Sequence, residues 1–143
     1  MTRREKAIMH LTKKGDYAVR AMLELARYPF GEVVQTRAIA QAQSIPESFL
    51  SKIIQSLARA RLIMTARGVQ GGVQLAHPAE RITIRQIVEA VEGPIAFNRC
   101  AINPELCNRS SFCRAHPFWV KINDLLTAEL EKATLAGMAA GRL

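Results

Sequence analysis

Three cysteines, Cys100, Cys107 and Cys113, stand in one polar stretch of the chain, separated by six and by five residues, and His116 follows the third after two more. Thiolates are soft ligands that suit iron-sulfur clusters, zinc and copper(I), and a loop carrying three of them can wrap a single centre. An odd number of cysteines cannot all pair with one another, so a disulfide framework explains them poorly. Other chemistries would use the same atoms. Metal-free thiols could sense oxidants by forming a disulfide or a sulfenate. Three cysteines and a histidine are also a structural-zinc set. A cysteine nucleophile with His116 as its base would make an enzyme, but no pocket-forming α/β pattern or orienting group accompanies the pair. Buried inert thiols fit a polar loop badly.

These residues lie in a segment, 95–117, that shows no sustained hydrophobic period and reads as a loop, too long to be structureless in a compact domain unless something ties it down. The elements around it are helical. Tyr17, Ala21, Met22, Leu25 and Ala26 recur at helical spacing after a candidate N-cap, Thr12. Thr36 is placed to cap a short second helix, and Ser44 with Glu47 three residues on fits a capping box for a third. In that third helix Phe49, Leu50, Ile53, Ile54 and Leu57 form one apolar stripe, leaving Ser48, Ser51, Lys52, Gln55 and Arg59 opposite. Ile63-Met64-Thr65 and Val73-Gln74-Leu75 have strand composition and flank a glycine-rich tip, which predicts a hairpin. Thr83 can cap a helix whose Ile84, Ile87, Val88 and Val91 share a face and which Gly93-Pro94 ends. A last helix begins near Phe118 and carries a wide apolar stripe.

Short helix, tight turn, longer helix and hairpin, in that order, are the parts of a winged helix-turn-helix. The predicted class is mainly α with a small β-hairpin wing, followed by a long C-terminal helix. Charge agrees with a nucleic-acid partner. The net charge is +8, and residues 1–76 hold twelve Lys and Arg against five Asp and Glu, while residues 77–143 hold eight against seven. Ser48, Ser51, Lys52 and Gln55 would face the major groove, and Arg67 and Gln70 on the wing would meet a minor groove or phosphate, where Gly68, Gly71 and Gly72 let the backbone approach. A solvated helix face and an ordinary turn are the competing readings.

The stretch from Leu11 to Met22, the Ile39-Ala40 helix, Arg67 to Leu75, Ile82-Thr83-Ile84 and Glu92-Gly93-Pro94 resemble the Rrf family of bacterial winged-helix regulators, its iron-sulfur members included. The likeness runs from residue 9 to about residue 138. It implies a homodimer crossed through the long C-terminal helix, two winged helices on a palindromic promoter site in double-stranded DNA, and an iron-sulfur cluster held by Cys100, Cys107, Cys113 and one further ligand. His116 matches the histidine of members with a 2Fe-2S centre, the preferred reading. Asp16 matches an aspartate that other members supply from the partner subunit to a 4Fe-4S centre, the rival; an acid in a first helical turn is also favoured by the helix dipole alone. Two departures stand out. The first gap between cysteines is one residue longer than in the family, and Ser51 replaces a base-reading glutamate, so the DNA preference is this chain's own.

The layout that follows is an N-terminal extension over 1–8, a winged helix-turn-helix region over 9–80, a connecting helix over 81–94, a cluster-binding loop over 95–117, a dimerisation helix over 118–138 and a tail over 139–143. No apolar run approaches the ~18 residues a membrane span needs. The basic, polar start lacks the apolar stretch of a signal peptide, so the cytoplasm is the expected compartment.

Overall fold

In a computed structural model, residues 11–69 and 71–142 are described. The expected extension over 1–8 and the wing residue Gln70 lie outside them. Seven α-helices and one hairpin follow in order among the described residues: α1 (Lys13–Leu25), α2 (Thr36–Gln43), α3 (Glu47–Arg59), β1 (Ile63–Ala66), β2 (Gly72–Leu75), α4 (Ile84–Glu92), α5 (Arg99–Ile102), α6 (His116–Lys132) and α7 (Leu135–Ala139). Short 3-10 turns occupy Ala79–Arg81 and Pro104–Leu106.

Helix α1 starts where the Thr12 hydroxyl accepts the Gly15 amide at 3.2 Å, relieving one of the unpaired donors every helix start leaves. Its Ala18, Ala21, Met22 and Leu25 are buried, the i, i+3, i+4, i+7 spacing of one helical face. The small residues let α2, α3 and α4 approach it closely. Leu50, Ile53, Ile54 and Leu57 do the same for α3, and Ile84, Ile87, Val88 and Val91 for α4. Each fully buried aliphatic side chain contributes about 1.5–3 kcal/mol, and all belong to a single core. The capping box on α4 is complete, with Thr83 Oγ1 accepting the Gln86 amide at 3.1 Å and Gln86 Oε1 accepting the Thr83 amide at 2.9 Å.

Three details of the helix-turn-helix differ from the expectation. Thr36 is the first residue of α2 and not its cap; Gln35 precedes it and makes no side-chain cap bond. Ser44 is not an N-cap; it closes α2 in the left-handed conformation at φ 54°, and α3 starts after Pro46 with no side-chain cap bond. A serine can satisfy an N-cap only from extended backbone, and the tight turn takes that conformation away. Phe49, expected inside, is 37% exposed; its ring meets that of Tyr17 edge-on at 5.3 Å.

The hairpin pairs antiparallel, Ile63 opposite Leu75 and Thr65 opposite Val73. It is not free-standing. Val34, in the loop after α1, exchanges two main-chain hydrogen bonds with Val73, both 2.8 Å, so the wing is the outer part of a three-stranded arrangement. Gly72 sits against this bridge, where a Cβ would overlap the Val34 carbonyl.

The C-terminal helix expected over 118–138 is two helices. Ala133 and Thr134 are extended. There the chain pairs with the strand-like residues before α4: Ile84 N–H donates to Ala133 O at 2.9 Å and Leu135 N–H to Ile82 O at 2.7 Å. Thr134 then caps α7, and Leu135, fully buried, plugs the core. Among the described residues no helix is long and apolar enough to cross a membrane.

Leu135→Ala should therefore lower the unfolding free energy by about 2–5 kcal/mol, the range for emptying a buried leucine site. Urea titration followed by circular dichroism measures it; a loss under about 1 kcal/mol would mean that α7 does not seat in the core.

Candidate nucleic-acid interface and metal centre

The polar face of α3 is laid out as its periodicity requires. Ser48, Ser51, Lys52, Gln55 and Arg59 are all exposed, since Leu50, Ile53, Ile54 and Leu57 consume the opposite side. Ser51 donates its hydroxyl back to the Glu47 carbonyl at 3.1 Å, a bond it can trade for a base edge. At the mouth of the helix-turn-helix, Arg37 on α2 pairs with Glu47 on α3 at 3.2 Å, an exposed pair worth little energetically. On the wing, Arg67 is exposed, Gly68 has φ 100° and Val69 is 94% exposed at the tip. The Gly71 amide donates to Gly68 O at 2.9 Å and closes that tip.

Asp16 lies elsewhere on α1. Its carboxylate pairs with Arg20 at 3.3 Å, and it lines a cavity of about 560 Å³ with Glu92, Ile95 and Leu126. None of the cysteines lines that cavity. Arg20, Gln43 and Glu24 form a polar cluster that the sequence reading did not single out. Glu24, only 4% exposed, accepts from Gln43 Nε2 at 3.0 Å and from Arg27 at 3.3 Å. The i, i+4 spacing of Asp16 and Arg20 was visible in the sequence; the approach of Gln43 from another helix was not.

The cysteine segment is folded by local turns, not left as an open loop. Asn98 precedes α5, Asn103 Oδ1 accepts the Glu105 amide at 3.0 Å, and Ser110 donates to Pro104 O at 2.7 Å. The segment is pinned to α6 by buried Asn123, whose Oδ1 accepts the Phe97 amide at 3.1 Å, and by Phe97 stacked on Trp119 at 5.2 Å. Protein contacts thus do part of the tying down expected of a metal. α6 begins at His116, two residues earlier than expected, with Pro117 in its first turn, where the missing amide costs nothing.

All three cysteines are free thiols; Cys100 is buried, Cys107 and Cys113 half-buried. Cys100 and Cys107 line one cavity of about 530 Å³ with Asn98, Arg99 and Glu105. Cys113 is not part of it. The Cys113 carbonyl accepts the His116 amide at 3.2 Å, and His116 Nδ1 is buried with no hydrogen-bond partner among the described residues. By type, an orphaned ring nitrogen on a segment that carries three thiols fits a soft metal or cluster. The donors are not gathered: among the described residues no three His, Cys, Asp or Glu side chains are close enough to hold one ion.

Residues 11–141 match the family described as Rrf2, iron-dependent transcriptional regulator. An HTH-type transcriptional regulator of Mycobacterium tuberculosis (strain H37Rv) is 36% identical over 135 residues, 94% of this chain and 84% of its own length. CymR, the global cysteine regulator of B. subtilis, shares the fold with a TM-score of 0.76 at 25% identity, over 95% of this chain and 100% of that one. T. potens IscR does so with a TM-score of 0.74 at 29% identity, over 95% and 90%. The winged-helix class is thereby established. The relatives are transcriptional regulators and not enzymes, which removes the cysteine-nucleophile reading.

Burial orders the thiols by reactivity, because the thiolate must meet its reagent. In metal-free protein, Cys107 and Cys113 should be alkylated by iodoacetamide well before Cys100, as read by peptide mass spectrometry. Equal rates at all three would contradict the placement of Cys100.

Proposed function

The chain belongs to the Rrf2 family of transcriptional regulators, and from that premise we propose that it is a homodimer whose promoter binding is governed by an iron-sulfur cluster on the cysteine segment. The observation that carries the cluster reading is the donor set: three free thiols on one segment, two of them on one cavity wall, followed by a histidine whose buried Nδ1 has no partner among the described residues. Cys100, Cys107 and Cys113 would supply the thiolates and His116 the fourth donor. Asp16 is the weaker fourth ligand, since Arg20 already holds its carboxylate. When bound, such a cluster supplies an electron-accepting centre, and a 2Fe-2S form with a nitrogen donor has a raised reduction potential.

The protein's own part is mechanical. Residues 95–117, drawn together at their thiols, would tighten against α6 through the Phe97–Asn123 bond and the Phe97–Trp119 stack. Phe118, Leu125 and Leu126 are exposed on α6, an apolar seam suited to a second copy. Through that seam the state of the segment would set how two reading heads sit on one promoter. On each head Ser48, Ser51, Lys52 and Gln55 would address the major groove and Arg67 the wing contact, and two-fold symmetry would favour a palindromic site. Lys52, Arg59 and Arg67 add the phosphate attraction that makes such binding salt-sensitive.

Protein purified without oxygen should be red-brown, carry iron and sulfide, and lose both colour and promoter discrimination in the triple Cys100→Ala, Cys107→Ala, Cys113→Ala variant. Stoichiometric zinc would turn the site into a staple, and colourless, metal-free protein would leave thiol chemistry in its place. Arg67→Ala should weaken binding by about 1–3 kcal/mol if the wing makes a good base contact. Fluorescence anisotropy on duplexes selected from a random library measures this, and unchanged affinity on every duplex would remove the wing from the interface.

A further inference from the structure

We propose that Arg20 is a positioning residue for DNA reading: from α1 it clamps the joint between α2 and α3 and so sets the pose of the reading helix. The proposal rests on α3 being that helix. Arg20 Nη2 donates to the main-chain carbonyl of Gln43, the last residue of α2. Its Nε reaches Gln43 Oε1 at 3.5 Å, and Nη1 pairs with Asp16. A carbonyl at a helix end has no partner inside the helix; here an arginine from another helix supplies one. The side chain of Gln43 is fixed from its other end by Glu24, so it cannot swing to replace Arg20.

The next residue, Ser44, makes the left-handed turn, and α3 begins three residues further at Glu47. The guanidinium also lies over the Tyr17 ring, 5.3 Å from its centroid. Tyr17 in turn meets Phe49, in the first turn of α3 beside Ser48. One side chain therefore holds the end of α2 directly and the start of α3 through a single ring. The exposed Phe49 becomes intelligible on this account: it is the reading helix's side of the clamp.

Three donors and a flat face used at once are what a guanidinium offers and an ammonium does not. Arg20→Lys keeps the charge and removes the clamp. Attraction to phosphate follows charge and ignores sequence, whereas base contacts depend on placement. The two can therefore be separated. The probes are a duplex that the wild-type protein selects from a random-sequence library, and poly(dI-dC) as sequence-neutral DNA. Arg20→Lys should bind the selected duplex about tenfold more weakly, close to 1.4 kcal/mol. Its affinity for poly(dI-dC), and the salt dependence of that affinity, should stay within about twofold.

Hydrogen exchange gives a readout without DNA: amides of Ile45, Phe49 and Leu50 should exchange faster in Arg20→Lys, with those of Leu57 and Ile87 unchanged. Tyr17→Leu, which removes the ring and leaves Arg20, should show the same pattern more mildly. Selected-duplex affinity equal to wild type in Arg20→Lys would overturn the proposal, as would parallel loss on both DNAs or faster exchange across the whole fold. If the wild-type protein enriches no sequence at all, the assignment of α3 fails and the positioning role with it, while the exchange data still report whether the joint is clamped.

Discussion

The buried carboxylate of Glu24 is the polar constraint that ties α2 to α1. A charge taken out of water is tolerated only when paired and hydrogen-bonded, and its partners come from two places: Arg27 on the following turn of chain and Gln43 at the far end of α2. Helix α2 is only eight residues long and buries just Ile39 and Ala40, too little to fix its own orientation. The polar demand of α1 does so instead. Once α2 is held, the left-handed turn at Ser44 directs α3 across the core and presents its polar face outward.

The fold was legible where local rules and tertiary contacts agree. Thr12 and Thr83 cap the helices that their spacing indicates, the stripe of α4 is buried as read, and that of α1 is buried at Ala21, Met22 and Leu25 but only half-buried at Tyr17 and Ala26. The reading failed where a distant segment chose the outcome. Ser44 and Glu47 have the letters of a capping box, but the turn between two packed helices imposes a conformation that forbids it. Ala133 and Thr134 continue a helical pattern, yet residues 82–84 offer unpaired main-chain groups that extended backbone can satisfy. Among the candidate site residues, exposure of Ser48, Ser51, Lys52 and Gln55 followed directly from periodicity. The cluster of Arg20, Gln43 and Glu24 spans two helices, and no pattern in one sequence announces it.

The cysteine segment shows a related division of labour. Its backbone is already organised by asparagine and serine side chains that satisfy its own turns. Pre-ordering of this kind lowers the conformational entropy lost when ligands converge. It also separates two jobs: Asn123 and Phe97 hold the base of the segment on α6, away from the half-buried Cys107 and Cys113.

The stacking of Phe97 on Trp119 has an optical consequence. This indole is the sole tryptophan of the chain, it stands one helical turn beyond His116, and it touches the residue that anchors the thiol-bearing segment. Tryptophan emission from the whole polypeptide thus originates at a single locus, against the ring that anchors the thiol-bearing segment, and reports on that anchor with no label to attach.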